Sequence, residues 1–321
     1  MRFFVLLVLV AATTTQGFAA QSYANRPIRI VVGFAPGGAP DIIARLIAEP
    51  LGARLGQSVV VDNRGGANGI IGADIVSKAT PDGHTLLVTS ASFAINPSIY
   101  RKLPFDAIND FTPVTNLANG GGLFLSVHPS LPVHSVAELI AYARKPGTRL
   151  AYGSAGQGNA THLAAALFNL RAGLDMVHVP YKSAGLATAA MMGNEVQVLF
   201  VTLSSSLQFI KSGRMRAIGY NHSTRAAVLP DVPTLTEAGL QGTVIDGSWY
   251  GLFAPPRTPV AIIENLLAEV RFAINTPQVR EKLAATVLEP DGRSPAEFKA
   301  FLEKVMKSYA EAVRAAGITP Q

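Results

Sequence analysis

The segment Phe34–Asp41, with the sequence FAPGGAPD, joins an apolar run at Ile28–Gly33 to a helical pattern that begins near Pro40. The apolar run predicts a buried strand, and proline suits the first turn of a helix, where its missing N–H costs nothing. Gly37 and Gly38 leave room for a ligand to approach the backbone. Because N–H groups at a helix N-terminus attract anions, the segment predicts an anion site, with a plain tight turn as the alternative.

A second turn of the same kind at Tyr152–His162 favours the anion site. Its sequence, YGSAGQGNATH, again leads from an apolar strand into a helix. The glycine spacing, G-x-x-G-x-G, differs from that of a dinucleotide-binding turn. Tyr152 stands where a nucleophile elbow needs a glycine, two positions before Ser154. Ser154 and His162 leave a secreted hydrolase as an alternative, although no third partner can be identified. The other interpretation of His162 is that it orients the loop by hydrogen bonds, and that of Asp41 is a dipole or capping residue of the first helix.

Strands and helices alternate from Ile28 to Thr89 in the order βαβαβ, which predicts an α/β fold with a parallel sheet. We expect a polar tip at Ser90-Ala91-Ser92 and a loop at Thr202–Ser206. Proline, asparagine and glycine interrupt the pattern at Asp106–Gly122, where we expect the chain to cross to a second domain. Trp249–Ala254 is the expected return. The predicted boundaries are 21–124 plus 248–321 for domain I and 125–247 for domain II. A cleft between two such domains is the default place for a ligand.

The first twenty residues predict a secretory signal peptide, residues 1–20. Arg2 supplies the charge, Phe3–Ala12 the apolar core, and Gly17-Phe18-Ala19 the small residues of a cleavage site. The apolar core is too short to span a bilayer, which takes about 20 residues. We therefore expect an exported, periplasmic protein.

Composition excludes several classes of function. The chain has no cysteine, so disulfides, thiol catalysis and cysteine-bound metals are excluded. Its six histidines form no i,i+4 pair, so neither a metal site nor a cofactor is predicted. The net charge is +6, but the basic residues are scattered, which argues against nucleic-acid binding and leaves a mild bias toward anionic ligands.

The chain resembles the Bug/TctC receptors, the extracytoplasmic solute receptors of tripartite tricarboxylate transporters. The resemblance runs from about Pro27 to the final helix. Its segments are IRIVVGFAPGG-PD, NRGGANGIIGA, PDGHTLL, KLPFD with NDFTPV, YGSAGQGNATHLA, HVPYKSAG, LPDVPTLTEAGL and SWYGLFAP.

This resemblance implies a two-lobed periplasmic binding protein (type II-like), with two α/β domains joined by crossing strands around a ligand cleft. It also implies a non-enzymatic, monomeric receptor that delivers a small organic carboxylate to membrane permease subunits. The ligand-binding residues expected from the turns and the resemblance together are Phe34, Ala35, Gly37, Gly38, Asp41, Ser90, Ser92, Ser154, Gly158, Asn159, Thr161, His162 and Thr202.

The sequence departs from the family pattern at Val201, where relatives often carry an acidic residue. The missing acid weakens the case for a ligand ammonium group, so we expect a carboxylate without an amino group. A ligand sensor that contacts a membrane signalling partner remains an alternative to the transport receptor, and nothing in the chain separates the two.

Overall fold

The computed structural model describes residues 23–244, 248–286 and 288–320. The predicted signal peptide at 1–20 lies outside these ranges. Within them, no helix combines the length and the apolar character needed to cross a bilayer.

The described strands form two sheets with helices packed around them. The strands are β1 (Ile28–Val32), β2 (Val59–Asn63), β3 (Thr85–Ser90), β4 (Thr112–Gly120), β5 (Phe124–Val127), β6 (Ala151–Ser154), β7 (Val177–Pro180), β8 (Val198–Val201), β9 (Arg216–Tyr220), β10 (Trp249–Ala254) and β11 (Leu288–Pro290). The helices are α1 (Ala39–Leu55), α2 (Ile70–Ser77), α3 (Ser92–Ile99), α4 (Val136–Ala143), α5 (Ala160–Ala172), α6 (Ala184–Met192), α7 (Leu203–Lys211), α8 (Val260–Ile274), α9 (Pro277–Ala284) and α10 (Pro295–Ala315), with a short 3₁₀ turn at Ala67–Gly69.

The first sheet has the strand order β11-β4-β10-β3-β1-β2, and the second has the order β7-β6-β8-β5-β9. Strand β1 runs parallel to β2 and β3, while β10 lies antiparallel between β3 and β4. In the second sheet β6 is parallel to β7 and β8, and β5 is antiparallel to β8 and β9. The chain leaves the first sheet after Gly120 and returns to it at Trp249, so the fold is a two-lobed α/β architecture.

Side-chain alternation along β1 explains why helices cover both faces of the first sheet. Ile30 and Val32 belong to one buried cluster, together with Ile43 and Ile47 of α1. Val31 belongs to the opposite cluster, which α2 and α10 complete. Successive strand residues point to opposite faces, so an all-apolar strand of this kind needs a helix layer on each side.

Several elements differ from the sequence prediction. Ser92, expected in a polar tip, begins α3, because burial of Phe93, Ile95 and Ile99 outweighs the turn-like Asn-Pro pair inside that helix. The loop expected at Thr202–Ser206 is the start of α7.

The interrupted stretch at Asp106–Gly122 contains strand β4, whose polar residues are satisfied by tertiary contacts. Asn116 donates a hydrogen bond to Asp291 at 3.0 Å, and its side-chain oxygen accepts one from the backbone N–H of Tyr250 at 3.2 Å. Helix α9 and strand β11 were also not predicted. The two hydrogen bonds of Asn116 join residues more than 100 positions apart, so the local sequence does not predict them.

Candidate functional site

A cavity of about 50 Å³ lies in the cleft between the two lobes, at the carboxyl ends of several strands. Five helices begin at this cavity, and the N-cap residue of each lines it. These residues are Gly38 (α1), Ala91 (α3), Asn159 (α5), Ser183 (α6) and Thr202 (α7). Helix N-termini carry unpaired N–H groups and a partial positive charge, so the cavity favours an anionic group.

The described residues that line the cavity include no aspartate, glutamate, lysine, arginine or histidine. Apolar groups such as Phe34, Leu123 and Tyr250 make up much of the wall, with the serine and threonine residues among them. Among the described residues, no cluster of three metal-ligating side chains is found. An anion in this cavity would therefore be held by helix ends and hydroxyl groups.

Asp41 shapes the first glycine turn and does not line the cavity. Its buried carboxylate accepts hydrogen bonds from the backbone N–H of Gly37, from Arg45 Nε and from Asn63 Nδ2, each at 3.0 Å. Asn63 Nδ2 also donates to the carbonyl of Phe34 at 3.0 Å. The carboxylate is thus used inside the turn, and its charge is paired with Arg45.

These contacts divide the residues predicted for the first turn into two groups. Phe34 and Gly38 line the cavity, whereas Ala35, Gly37 and Asp41 do not. Gly37 has φ of +85°, a left-handed conformation that glycine adopts without strain. Gly38 has φ of −81°, so other residues can also adopt its backbone conformation.

In the second turn, the loop itself uses several of the predicted donors. The N–H of Gly158 donates to His162 Nδ1 at 3.0 Å, and the N–H of Ala155 donates to Thr161 Oγ1 at 2.9 Å. Ser154 Oγ lies 2.7 Å from His178 Nε2 and accepts the N–H of Gly156 at 3.2 Å. Of the residues predicted in this turn, Asn159 and Thr161 line the cavity, whereas Ser154, Gly158 and His162 do not.

Three stacked aromatic rings pack against the base of this turn. The His162 and His178 rings are 4.0 Å apart at an interplanar angle of 10°, and Tyr152 stacks on His178 at 4.9 Å. Burial, with a smaller contribution from His178, lowers the pKa of His162 to about 3. Burial alone lowers the pKa of His178 to about 4. Both rings are therefore neutral near pH 7, as His162 must be to accept the N–H of Gly158.

The serine nearest to a hydrolase arrangement is poorly placed for attack on a substrate. Ser154 pairs with His178, not with His162 as the sequence suggested, and it is only 1% exposed. No carboxylate among the described residues hydrogen-bonds to His178 to complete a triad. The Ser154–His178 contact instead fixes the base of the loop.

The remaining predicted residues lie at the ends of β3 and β8. Ser90 lines the cavity, and its Oγ is 3.1 Å from that of Ser92, which is buried and does not line it. Thr202 lines the cavity, and its Oγ1 is 3.0 Å from Ser205 Oγ.

Sequence reasoning missed the contribution of α6 and of the strand that returns to the first lobe. Ser183 caps α6 by accepting the N–H of Leu186 at 3.2 Å, and Ala184 follows it on the cavity wall. The strand–turn–helix order of this segment was a usable signal, but it lacks the glycines that marked the other two turns. Ser248 and Tyr250 line the cavity from the far end of the chain and have no local signature.

Comparison with known proteins places this architecture among the periplasmic binding proteins. The solved structure of the periplasmic binding protein BugD has a TM-score of 0.89 and 30% identity, covering 93% of this chain and 100% of that one. Two proteins of Rhodopseudomonas palustris are similarly close. Rpa4515 with adipate has a TM-score of 0.89 and 34% identity, covering 93% of this chain and 100% of its own. MatC with bound malate has a TM-score of 0.84 and 31% identity, covering 90% of this chain and 99% of its own.

Residues 43–318 match the family described as TctC, the tripartite tricarboxylate transporter family receptor. BugT of Bordetella pertussis is 33% identical over 319 residues, which cover 98% of this chain and 97% of BugT. The chain therefore belongs to the Bug/TctC family of solute-binding receptors.

The stacked pair of His162 and His178 predicts a loss of stability in mild acid. Unfolded histidine protonates near pH 6.5, whereas folded His162 and His178 remain neutral down to about 3 and 4. The unfolded chain thus binds more protons between these limits. We expect the free energy of unfolding to fall as pH drops from 6.5 toward 4, by up to about 1.4 kcal/mol per pH unit for each histidine.

Urea unfolding at several pH values checks this prediction. Exchange of His178 for glutamine (His178→Gln) should flatten the slope by one histidine relative to the wild type. Equal slopes for the wild type and His178→Gln would contradict the assignment.

Proposed function

We propose that this protein is a periplasmic receptor that captures a small carboxylate between its lobes and delivers it to the membrane subunits of a tripartite tricarboxylate transporter. The observation that carries the proposal is the meeting of five helix N-termini at a cavity whose described lining has no charged side chain. The adipate and malate bound to two similar proteins support a carboxylate as the ligand class. We further propose that the receptor acts as a monomer and performs no chemistry on its ligand.

The proposed ligand contacts are the predicted residues that line the cavity, together with those that sequence reasoning missed. The first group is Phe34, Gly38, Ser90, Asn159, Thr161 and Thr202, and the second includes Ser183, Ala184, Ser248 and Tyr250. Of the other predicted residues, those that hydrogen-bond within the two turns are Gly37, Asp41, Ser154, Gly158 and His162. We also propose domain boundaries at 21–124 plus 248–321 and at 125–247, near the points where the chain passes between the two sheets.

The electrostatic character of the cavity, with helix N-termini and no charged side chain among its described lining residues, also argues for a carboxylate without an amino group. A ligand ammonium would lie among the positive ends of several helices, and no described lining residue carries a compensating negative charge. Burial of an unpaired charge is strongly unfavourable. The proposed ligand is therefore a non-amino carboxylate.

Malate and aspartate form a matched pair for testing this point, because they differ by a hydroxyl in place of an ammonium group. We expect malate to bind at least about tenfold more tightly, a difference of about 1.4 kcal/mol. Isothermal titration with both ligands, and with adipate and 2-aminoadipate as a longer pair, measures the difference. Equal or tighter binding of the amino compounds would contradict the charge argument, and failure of every carboxylate in a wider panel would contradict the receptor proposal.

A negative charge introduced at Thr202 should shift the preference from malate toward aspartate. Thr202 is the N-cap of α7, a position where aspartate and asparagine are both well tolerated. Thr202→Asp should weaken malate binding and favour aspartate, whereas the neutral Thr202→Asn should leave the preference unchanged.

Asp246 stands two positions before Ser248 and lies outside the described residues, so the titrations include Asp246→Asn. Aspartate binding that depends on Asp246 would show that the site holds an ammonium group.

Gly38 offers a test of the first turn with a neutral control. A Cβ at Gly38 would have only ordinary contacts, the nearest at 3.8 Å, and aspartate is itself a good N-cap. We expect Gly38→Asp to fold normally but to bind malate much more weakly than Gly38→Asn, because only the former places a negative charge beside the ligand. Calorimetric titration after thermal melts measures both, and equal affinities would place the carboxylate elsewhere. Gly158 is unsuitable for this comparison because a Cβ there would lie 2.3 Å from Ile99.

The proposed location requires removal of the predicted signal peptide. We expect the mature chain to begin near Ala20 or Gln21, since the charged, apolar and small residues occur in the order that signal peptidase recognises. Intact-mass spectrometry of the periplasmic fraction of a bacterium expressing the full chain measures the start. An exported protein that retains Met1 would contradict the prediction.

A further inference from the structure

Three asparagine side chains connect the two lobes beside the cavity. Asn68 Nδ2 donates to Asn96 Oδ1 at 2.7 Å, and both residues belong to the first lobe. Asn159 of the second lobe donates through Nδ2 to Asn68 Oδ1 at 3.4 Å. All three are buried, with exposed fractions of 8% for Asn68, 1% for Asn96 and 7% for Asn159.

Backbone groups at both ends fix the orientation of these amides. Asn159 Oδ1 accepts the backbone N–H of Thr161 at 3.0 Å, which turns its Nδ2 toward the other lobe. Asn96 Nδ2 donates to the backbone carbonyl of Asn68 at 3.2 Å, which turns its Oδ1 toward Asn68 Nδ2. Asn68 must then present its Oδ1 to Asn159. Each lobe alone therefore sets its half of the contact, and the halves are complementary.

The surrounding backbone is shaped to allow this contact. Asn68 has φ of +54°, a left-handed conformation that asparagine tolerates better than most residues. On the opposite side, a Cβ added at Gly156 would lie 3.6 Å from Asn68 Oδ1, and one at Gly158 would lie 2.3 Å from Ile99 Cδ1 of α3. The second glycine turn thus lies directly against the first lobe.

We propose that Asn68 is a positioning residue that stabilises the closed form of the receptor by linking lobe closure to Asn159. Asn159 is the N-cap of α5 and lines the cavity, so the contact that joins the lobes also holds one of the helix ends that face the ligand. The inference rests on the proposed function only for the identity of the cavity as the ligand site. Its effect on the lobes is independent of which ligand binds.

The first test is the closed-to-open ratio of the unliganded protein. The chain has no cysteine, so Val60→Cys and Val177→Cys, at exposed positions in different lobes, can be labelled for single-molecule energy transfer. In this background we expect Asn68→Gly to lower the ratio about twofold to tenfold, as for one lost hydrogen bond. Asn194→Gly is the matched control, because Asn194 is also left-handed, with φ of +58°, and exposed.

A merely structural role for Asn68 would lower the melting temperature of Asn68→Gly and leave the ratio at its wild-type value. That result would overturn the proposal, as would the absence of a closed population in the wild type. An equal fall in the ratio for Asn194→Gly would also overturn it.

Asn159→Asp tests the same contact from the second lobe. Aspartate keeps the N-cap bond to Thr161 but places a carboxylate oxygen against Asn68 Oδ1, so attraction becomes repulsion. We expect a larger fall in the ratio than in Asn68→Gly, and an unchanged ratio would overturn the proposal.

Malate serves as the ligand probe in the final measurement. We expect Asn68→Gly to increase its dissociation rate by about the same factor as the ratio falls, and an unchanged rate would overturn the link to ligand retention. If the wild type does not bind malate, the proposed ligand class is wrong, while the energy-transfer results still decide the role of Asn68.

Discussion

The unpaired N–H groups at the helix N-termini are the constraint on which the site depends. Side chains satisfy some of them, as Asn159 does for Thr161 and Ser183 for Leu186. Gly38 and Ala91 occupy the N-cap positions of α1 and α3 and have no side-chain acceptor to offer. When the lobes exclude water, these donors need another acceptor, because an unsatisfied buried N–H is costly. In the proposed function an anionic ligand supplies it, which would connect ligand binding with closure.

The ionisable residues near the cavity are either paired with other side chains or held neutral, so they do not compete with a ligand. Asp41 carries a negative charge close to the first turn, but Arg45 and two further donors use its carboxylate. His162 and His178 are held neutral by burial. The electrostatic character of the cavity is therefore set by helix dipoles, which are fixed by the fold and do not titrate.

The sequence was informative where function depends on local chain geometry and less so where it depends on tertiary partners. The two glycine turns were predicted because strand, turn and helix follow one another directly. The roles of Asp41 and His162 were left open between the loop and the ligand, since a side chain that serves its own loop and one that serves a ligand have the same sequence pattern. Helix α3 was hidden by Asn96 and Pro97, although Asn96 proves to be satisfied by Asn68. The wall formed by Tyr250 depends on a pairing of β10 with β3 that spans much of the chain.

Several glycines allow the lobes to approach each other, which changes the interpretation of the turns. From sequence, their lack of a side chain suggested space for a ligand. In the structure a Cβ at Gly158 would collide with Ile99, and one at Gly185 would lie 3.6 Å from the carbonyl oxygen of Gly37 in the other lobe. Gly158 also cannot easily be replaced because its φ is +74°. A bulky side chain at either position would hold the cleft open without touching the ligand. Glycine at position 158 is therefore required for closure at least as much as for ligand access, and Gly185 in α6 leaves room only for a small side chain.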